Sequence, residues 1–190
     1  MLRLRVATDP ALVEVILGDF DAFLIDHAAC ERKASALALS LVMHYPDRRA
    51  LVKAMVALAR EELDHFAQVV ELLDARGLVM SADEKDPYVG ALLKLRRQGT
   101  GPYFLDRLLL GGIIEARGCE RFQMIADALP QGREKTFYTD IARAEARHHG
   151  LFVRLAREYF DDAEVRARLD ELLDAEAEIV AELPLRARLH

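Results

Sequence analysis

The sequence predicts an all-α protein: four long helices in two antiparallel hairpins, a long crossover between the hairpins, and an additional C-terminal helix. Three observations predict it. Apolar residues recur at three- and four-residue spacing over stretches of about 25 residues, the signature of amphipathic helices. Gly and Pro together number only 16 of 190 residues and cluster in a few places, not at the short intervals that an all-β chain of short strands requires. With 52% hydrophobic, 31% charged and 7% aromatic residues and no Trp, the core falls to Leu, Ala, Val and Ile.

The first long helix is predicted over about Phe20 to His44, with Phe20, Phe23, Leu24, Ala28, Leu37, Leu41 and Val42 on its inward stripe, and Pro46-Asp47 ends it. A second runs from about Arg48 to Arg76, carrying Leu51, Met55, Leu58, Leu63, Phe66, Val69, Val70 and Leu73, with Gly77 as its C-terminal cap. So short a connection makes the two an antiparallel hairpin. From Leu78 to Gly101 the pattern breaks into a crossover, in which Asp86-Pro87 opens a short helix ending near Gln98. Helical periodicity returns from Pro102 to Leu129, stops at Pro130-Gln131-Gly132, and resumes from Arg133 to Phe160, giving the second hairpin. Asp161-Asp162 caps a last helix through about Leu183, halted by Pro184 and expected to pack outside the four-helix bundle. The whole chain, 1–190, reads as one domain, with the bundle core over about 20–160 and the extra helix over about 162–183.

Composition excludes several classes. A net charge of −6 lacks the broad basic field of a protein that grips nucleic acid by phosphate neutralisation alone, so a nucleic-acid substrate needs a local basic patch. No apolar run is long enough to span a membrane, and Asp9-Pro10 follows the N-terminal residues at once, so no membrane association is expected. Two cysteines, Cys30 and Cys119, both within helical patterns, are too few for a disulfide scaffold and suit a cytoplasmic protein with reduced thiols.

The chemistry lies in a repeated motif. Sixteen glutamates and six histidines are expected to give fewer than one Glu-x-x-His pair by chance, yet the chain has two, Glu62-Leu63-Asp64-His65 and Glu145-Ala146-Arg147-His148. Each lies in the second helix of its hairpin, where residues i and i+3 share a face and can hold one ion or adjacent ions. A bundle-core dimetal site also needs a Glu from each of the other two helices, and Glu31 and Glu115 supply them. Glu31 precedes Pro46 by 15 residues and Glu115 precedes Pro130 by 15, while Glu62 lies 16 and Glu145 15 beyond those prolines. Both hairpins thus bring a Glu level with a Glu/His pair, and four carboxylates with two imidazoles are expected to converge. A single such pair is commonly solvent-facing; two pairs at matching depth among Ala, Leu and Ile are not, because carboxylates on apolar faces are costly without a partner or a metal. Hard oxygens with imidazoles suit iron or manganese better than a structural zinc, and iron is the expected metal.

Other residues compete less well. Glu120 breaks the hairpin symmetry, and Glu61 is one position off Glu62. His27 lies one turn before Glu31, either hydrogen-bonded to that ligand or simply a core histidine. Cys119, Phe122 and Tyr138 read as core packing beside the site, His44 as a helix-end residue, His149 as a neighbour on another face and His190 as terminal.

These residues also carry a family resemblance. Leu24-Ile25-Asp26-His27 leading to Cys30-Glu31, Leu58-Ala59-Arg60-Glu61-Glu62-Leu63, Ile114-Glu115-Ala116-Arg117-Gly118-Cys119-Glu120-Arg121-Phe122, and Glu145-Ala146-Arg147-His148 resemble the MiaE family of tRNA 2-methylthio-isopentenyladenosine hydroxylases over about Phe20 to Leu155. The resemblance implies a ferritin-like, oxygen-dependent non-haem di-iron monooxygenase that hydroxylates the isopentenyl group of (2-methylthio-)isopentenyladenosine beside the tRNA anticodon. The family's ligand pattern falls on Glu31, Glu62, His65, Glu115, Glu145 and His148, holding two iron ions with molecular oxygen as co-substrate. No flavin, nicotinamide or iron-sulfur motif appears, so an external electron donor of ferredoxin/reductase type is implied. Candidate tRNA contacts are Lys94, Arg96 and Arg97 in the crossover, Arg186 and Arg188 near the end, and Arg117 and Arg121 beside the third-helix site, all of which can equally be solvated or ion-paired. The alternatives are a ferritin-like ferroxidase or peroxide-handling protein, and a helical interaction module whose Glu/His layer is structural.

Overall fold

A computed structural model describes residues 2–190. Seven helices form among the described residues and no strand: α1 (Ala11–Gly18), α2 (Phe20–His44), α3 (Arg49–Ala75), α4 (Pro87–Lys94), α5 (Thr100–Ala128), α6 (Arg133–Tyr159) and α7 (Asp162–Glu182). The four long helices fall where periodicity places them, to within a few residues. Helix α1 was not expected from the sequence, because its eight residues are too few for a periodic pattern; Leu12 and Ile16 anchor it by burial. The crossover helix ends at Lys94, short of Gln98, since Arg97 leaves the helix to bond Asp106.

The chain divides into two compact units. One comprises Glu14–Glu84 with Arg186–Leu189. Its body is the α2/α3 hairpin. Asp19 caps α2 through the Ala22 N–H (3.2 Å), and α3 ends in a Gly77 turn at φ +68°. There the Leu78 N–H reaches the Leu73 carbonyl (2.9 Å) and the Gly77 N–H that of Asp74 (3.0 Å), a double closure that satisfies carbonyls the helix leaves open. Between the helices, Ser35 Oγ donates to the Ala59 carbonyl at 2.8 Å. Phe23, Leu24, Ala28, Leu41, Leu51, Met55 and Val69 are buried, as the apolar stripe requires. The C-terminal segment is tied to this unit by Arg188, which bonds Asp26 (3.1 Å) and Glu84 (2.7 Å), and by the Leu189 N–H to Asp26 (2.9 Å).

The other unit comprises Lys85–Leu185 with the N-terminal segment through Val13 and with His190. Its α5/α6 hairpin is tight: a Cβ on Gly111 would stand 2.9 Å from the Phe152 ring, so glycine is what allows the two helices to cross there. Lys135 Nζ donates to the carbonyls of Ala126 (2.7 Å) and Leu129 (3.0 Å), closing the end of α5 from the start of α6. Helix α7 packs on α4, α5 and α6. Two buried charge clusters fix these shorter elements. Arg117, fully buried, donates to Glu176 (2.9 and 3.0 Å), Glu120 (2.6 Å), Thr8 Oγ1 (3.0 Å) and the Val6 carbonyl (3.1 Å), while Tyr88 donates to Glu176 at 2.8 Å. Asp106, also fully buried, takes Arg97 (2.9 Å) and Arg168 (2.9 Å). No helix among the described residues is long and apolar enough to cross a membrane.

Candidate metal-binding residues

Each hairpin presents one Glu from its first helix and a Glu/His pair from its second. In the α2/α3 unit, single ligand atoms from Glu31, Glu62 and His65 lie within 4.8 Å of one another. His65 Nδ1 is 3.2 Å from Glu62 Oε2 and 3.5 Å from Glu31 Oε2. In the α5/α6 unit, Glu115, Glu145 and His148 meet the same distance criterion, with His148 Nδ1 3.1 Å from Glu145 Oε2. Glu31, Glu62, Glu145 and both histidines are buried and Glu115 is half-buried.

Local sequence explains how carboxylates come to lie inside. Ala28, Ala29, Ala38 and Ala59 in one hairpin, and Ala116, Ala142 and Ala144 in the other, are buried small residues that leave room for the longer Glu and His side chains. Leu58, Val69, Ile141 and Phe152, each one helical turn from Glu62, His65, Glu145 or His148, are buried as well. Burial pushes the Glu31 pKa up, but hydrogen bonds from His27 and His65 outweigh it and hold the carboxyl well below the usual carboxylate range. Burial likewise opposes the charged form of His65, yet its bonds to Glu31 and Glu62 raise it to about 9. Anionic carboxylates and an imidazole that binds a proton tightly between them are the electrostatics of a cation site: a divalent ion held by the same atoms takes the proton's place.

The donor set fits iron. Two carboxylates and one imidazole per hairpin are hard-to-borderline ligands, and neither cysteine belongs to the groups. Cys119 Sγ instead donates to the Ala142 carbonyl at 3.4 Å.

The competitors find other work. Glu120 is held by Arg117 and by Thr8, whose hydroxyl donates at 2.6 Å. Glu61 lies outside both triads. His27 is fully buried with Nε2 2.6 Å from Glu31 Oε1, so it is a core histidine hydrogen-bonded to Glu31. Phe122 and Tyr138 pack on each other at 5.8 Å, His44 Nδ1 bonds the Ser40 carbonyl at 2.7 Å, and His190 stacks on Tyr88 at 5.2 Å. Most candidate tRNA contacts are also engaged internally. Arg117 is buried, Arg121 is buried with its guanidinium 5.8 Å from the Tyr88 ring, and Arg97 is bound to Asp106. Arg96 bonds Tyr103 at 2.9 Å, and Arg186 and Arg188 both reach Glu84. A row of exposed arginines on α6, at 143, 147, 154 and 157, lies outside the residues predicted as contacts, although their helical spacing is visible in the sequence.

Comparison with known proteins follows the same lines. A family model described as tRNA-(ms2io6A)-hydroxylase (MiaE) matches residues 2–190. A Pseudomonas putida protein named tRNA 2-(methylsulfanyl)-N(6)-isopentenyladenosine(37) hydroxylase is 35% identical over 183 residues, 96% of this chain and 89% of that protein. A Salmonella typhimurium protein of the same name is 34% identical over 145 residues, 76% of this chain and 53% of that protein. Among solved structures, a Synechococcus protein described as having aldehyde deformylating oxygenase activity superposes with a TM-score of 0.93 at 34% identity, covering 98% of this chain and 94% of that one. That likeness is the ferritin-like all-α fold expected from the sequence.

Proposed function

The chain belongs to the MiaE family, and from that premise we propose that it is an oxygen-dependent di-iron hydroxylase of the isopentenyl group on tRNA (2-methylthio-)isopentenyladenosine. The observation that carries the proposal is the repeated Glu plus Glu-x-x-His triad, mostly buried, one to each hairpin. In this reading the two units act as one domain, and Glu31, Glu62, His65, Glu115, Glu145 and His148 together hold two iron ions. The pair of irons supplies reductive activation of oxygen and insertion of one oxygen atom into an unactivated C–H bond.

The chain's own residues set the conditions. Glu31 is fixed by His27 on one oxygen, which leaves its other oxygen for a metal. His65, which holds a proton tightly in the metal-free protein, gives it up on metal binding, and both His65 and His148 reach their Glu partners by helix geometry alone. The apolar surroundings keep bulk water from the reacting carbon and favour an apolar prenyl chain over the polar base that carries it. In the net reaction the substrate C–H becomes C–OH, the second oxygen atom leaves as water, and two electrons with two protons come from an external donor of ferredoxin/reductase type.

The test is mass spectrometry of nucleosides from isopentenylated tRNA treated with iron-loaded protein, reductant and oxygen. The expected product carries one added oxygen atom, and the Glu62→Ala/Glu145→Ala variant gives none. A second reading comes from the Synechococcus likeness, in which the substrate is an aldehyde. Oxygen-dependent deformylation of an aldehyde, with tRNA left unmodified, would favour it.

A further inference from the structure

We infer that the outer face of α6 is the docking surface for the phosphate backbone of the RNA, an assignment that rests on the tRNA reading above. An acidic chain with an RNA substrate must concentrate positive charge locally. Most of the arginines expected from sequence are held by the protein itself: Arg117 and Arg121 are buried, Arg97 is bound to Asp106, Arg96 to the Tyr103 hydroxyl, and Arg186 and Arg188 both reach the one carboxylate of Glu84. Helix α6 carries that charge. Arg143, Arg147, Gly150, Arg154 and Arg157 follow in steps of four, three, four and three, so they form one stripe running about 21 Å along the axis at 1.5 Å per residue. All four arginines are exposed.

The stripe borders a groove of about 560 Å³, whose lining includes Ala146, Arg147, His149, Gly150, Arg154 and Arg157. Ala146 and Gly150 keep its floor near the level of the backbone, which permits close approach by a second backbone. Arg154 folds over that floor, with Nη1 3.2 Å from where a Gly150 Cβ would stand. Arg147 donates to the Arg143 carbonyl at 3.1 Å. The end arginines pair only with exposed acids, Arg143 with Asp140 (3.2 Å) and Arg157 with Asp162 (2.8 Å), contacts that phosphate can replace at little cost. Guanidinium forks suit phosphate oxygens bidentately, and an elongated row with a small-residue floor fits a strand better than the rounded face of an acidic protein. Glu145 and His148 occupy the buried flank of the same turns, so a strand lying on the stripe passes one helix width from the proposed ligands.

The experiment measures binding of a fluorescent anticodon stem–loop RNA at a series of salt concentrations, using the full-length protein, Arg147→Gln/Arg154→Gln, and the charge-matched surface control Lys53→Gln/Arg60→Gln. Iron content and helical circular dichroism verify each variant, and Arg154→Lys tests for partial rescue. Loss of two phosphate contacts is expected to weaken binding about tenfold or more and to reduce the slope of log K against log salt by roughly 2, with the control unchanged. Wild-type binding with an unaltered Arg147→Gln/Arg154→Gln variant overturns this assignment and leaves the hydroxylase reading in place. Absence of RNA binding by the wild type overturns the hydroxylase reading and the assignment together. Unchanged RNA affinity, with turnover lost only when an acidic ferredoxin rather than a small-molecule reductant supplies electrons, overturns the assignment in favour of an acidic protein partner.

Discussion

His27 Nε2 lies 2.6 Å from Glu31 Oε1, one turn apart on α2 and both buried, with the Phe23 ring stacked on the imidazole at 5.9 Å. The imidazole thereby fixes which Glu31 oxygen is available and keeps the carboxyl ionised. Removing such an outer partner weakens metal binding by about 10–100-fold in comparable sites. His27→Phe is expected to lower affinity for ferrous iron by that order in anaerobic competition with a chromophoric chelator, and His27→Gln by less. Equal affinity in all three proteins would show that Glu31 needs no orientation.

The metal-free protein should lose stability on the alkaline side. His65 has a folded-state pKa of about 9 against about 6.5 unfolded, so its contribution is complete below about pH 6.5 and disappears as pH rises through about 9. Glu31, held below its usual range, acts in the opposite direction: its contribution is present above the ordinary carboxylate range and fades only in strong acid. Urea midpoints of the metal-free protein are expected to fall between pH 6.5 and 9, and His65→Gln to flatten that limb. An alkaline decline of the same size in His65→Gln would assign it to another group.

Two glycines should respond with opposite sign. Gly111→Ala gains about 1 kcal/mol of helix propensity but drives a methyl to within 2.9 Å of Phe152, a buried ring, at an overpacking cost of about 1–3 kcal/mol. Net destabilisation is expected, partly recovered by Phe152→Leu. Gly90→Ala on α4 meets nothing within 4 Å and should stabilise by up to about 1 kcal/mol. Chemical denaturation of the four proteins reads both signs.

Arg117 and Glu176 anchor the N-terminal segment, α4 and α7 to α5 through fully buried charges. Breaking one partner of such a pair typically costs about 3–5 kcal/mol, because the other charge stays buried. Arg117→Met should therefore unfold at much lower urea than the wild type, while Glu176→Gln, which still accepts from Tyr88 and Arg117, should lose less. An Arg117→Met loss under about 1 kcal/mol would mean that water replaces the guanidinium.

What the sequence made legible divides along physical lines. The long helices and the Glu31/Glu62/His65 and Glu115/Glu145/His148 triads follow from periodicity and from spacing around Pro46 and Pro130, because helix geometry converts sequence offset directly into position. Helix α1 is too short to carry a period. The fate of the arginines was opaque for another reason: whether Arg117 faces water or Glu176 depends on residues 59 positions away, which no local pattern encodes. The same applies to His27, whose offset from Glu31 was visible but whose 2.6 Å contact depends on rotamers.

The most direct measurement is a single turnover of iron-loaded protein with isopentenylated tRNA under isotopically labelled oxygen gas, followed by nucleoside mass spectrometry. One labelled oxygen atom in the prenyl group of the modified adenosine, absent from the Glu62→Ala/Glu145→Ala protein, is the predicted result. An unmodified nucleoside from protein that binds two irons and reoxidises after reduction, or an added oxygen derived from water, would contradict the account.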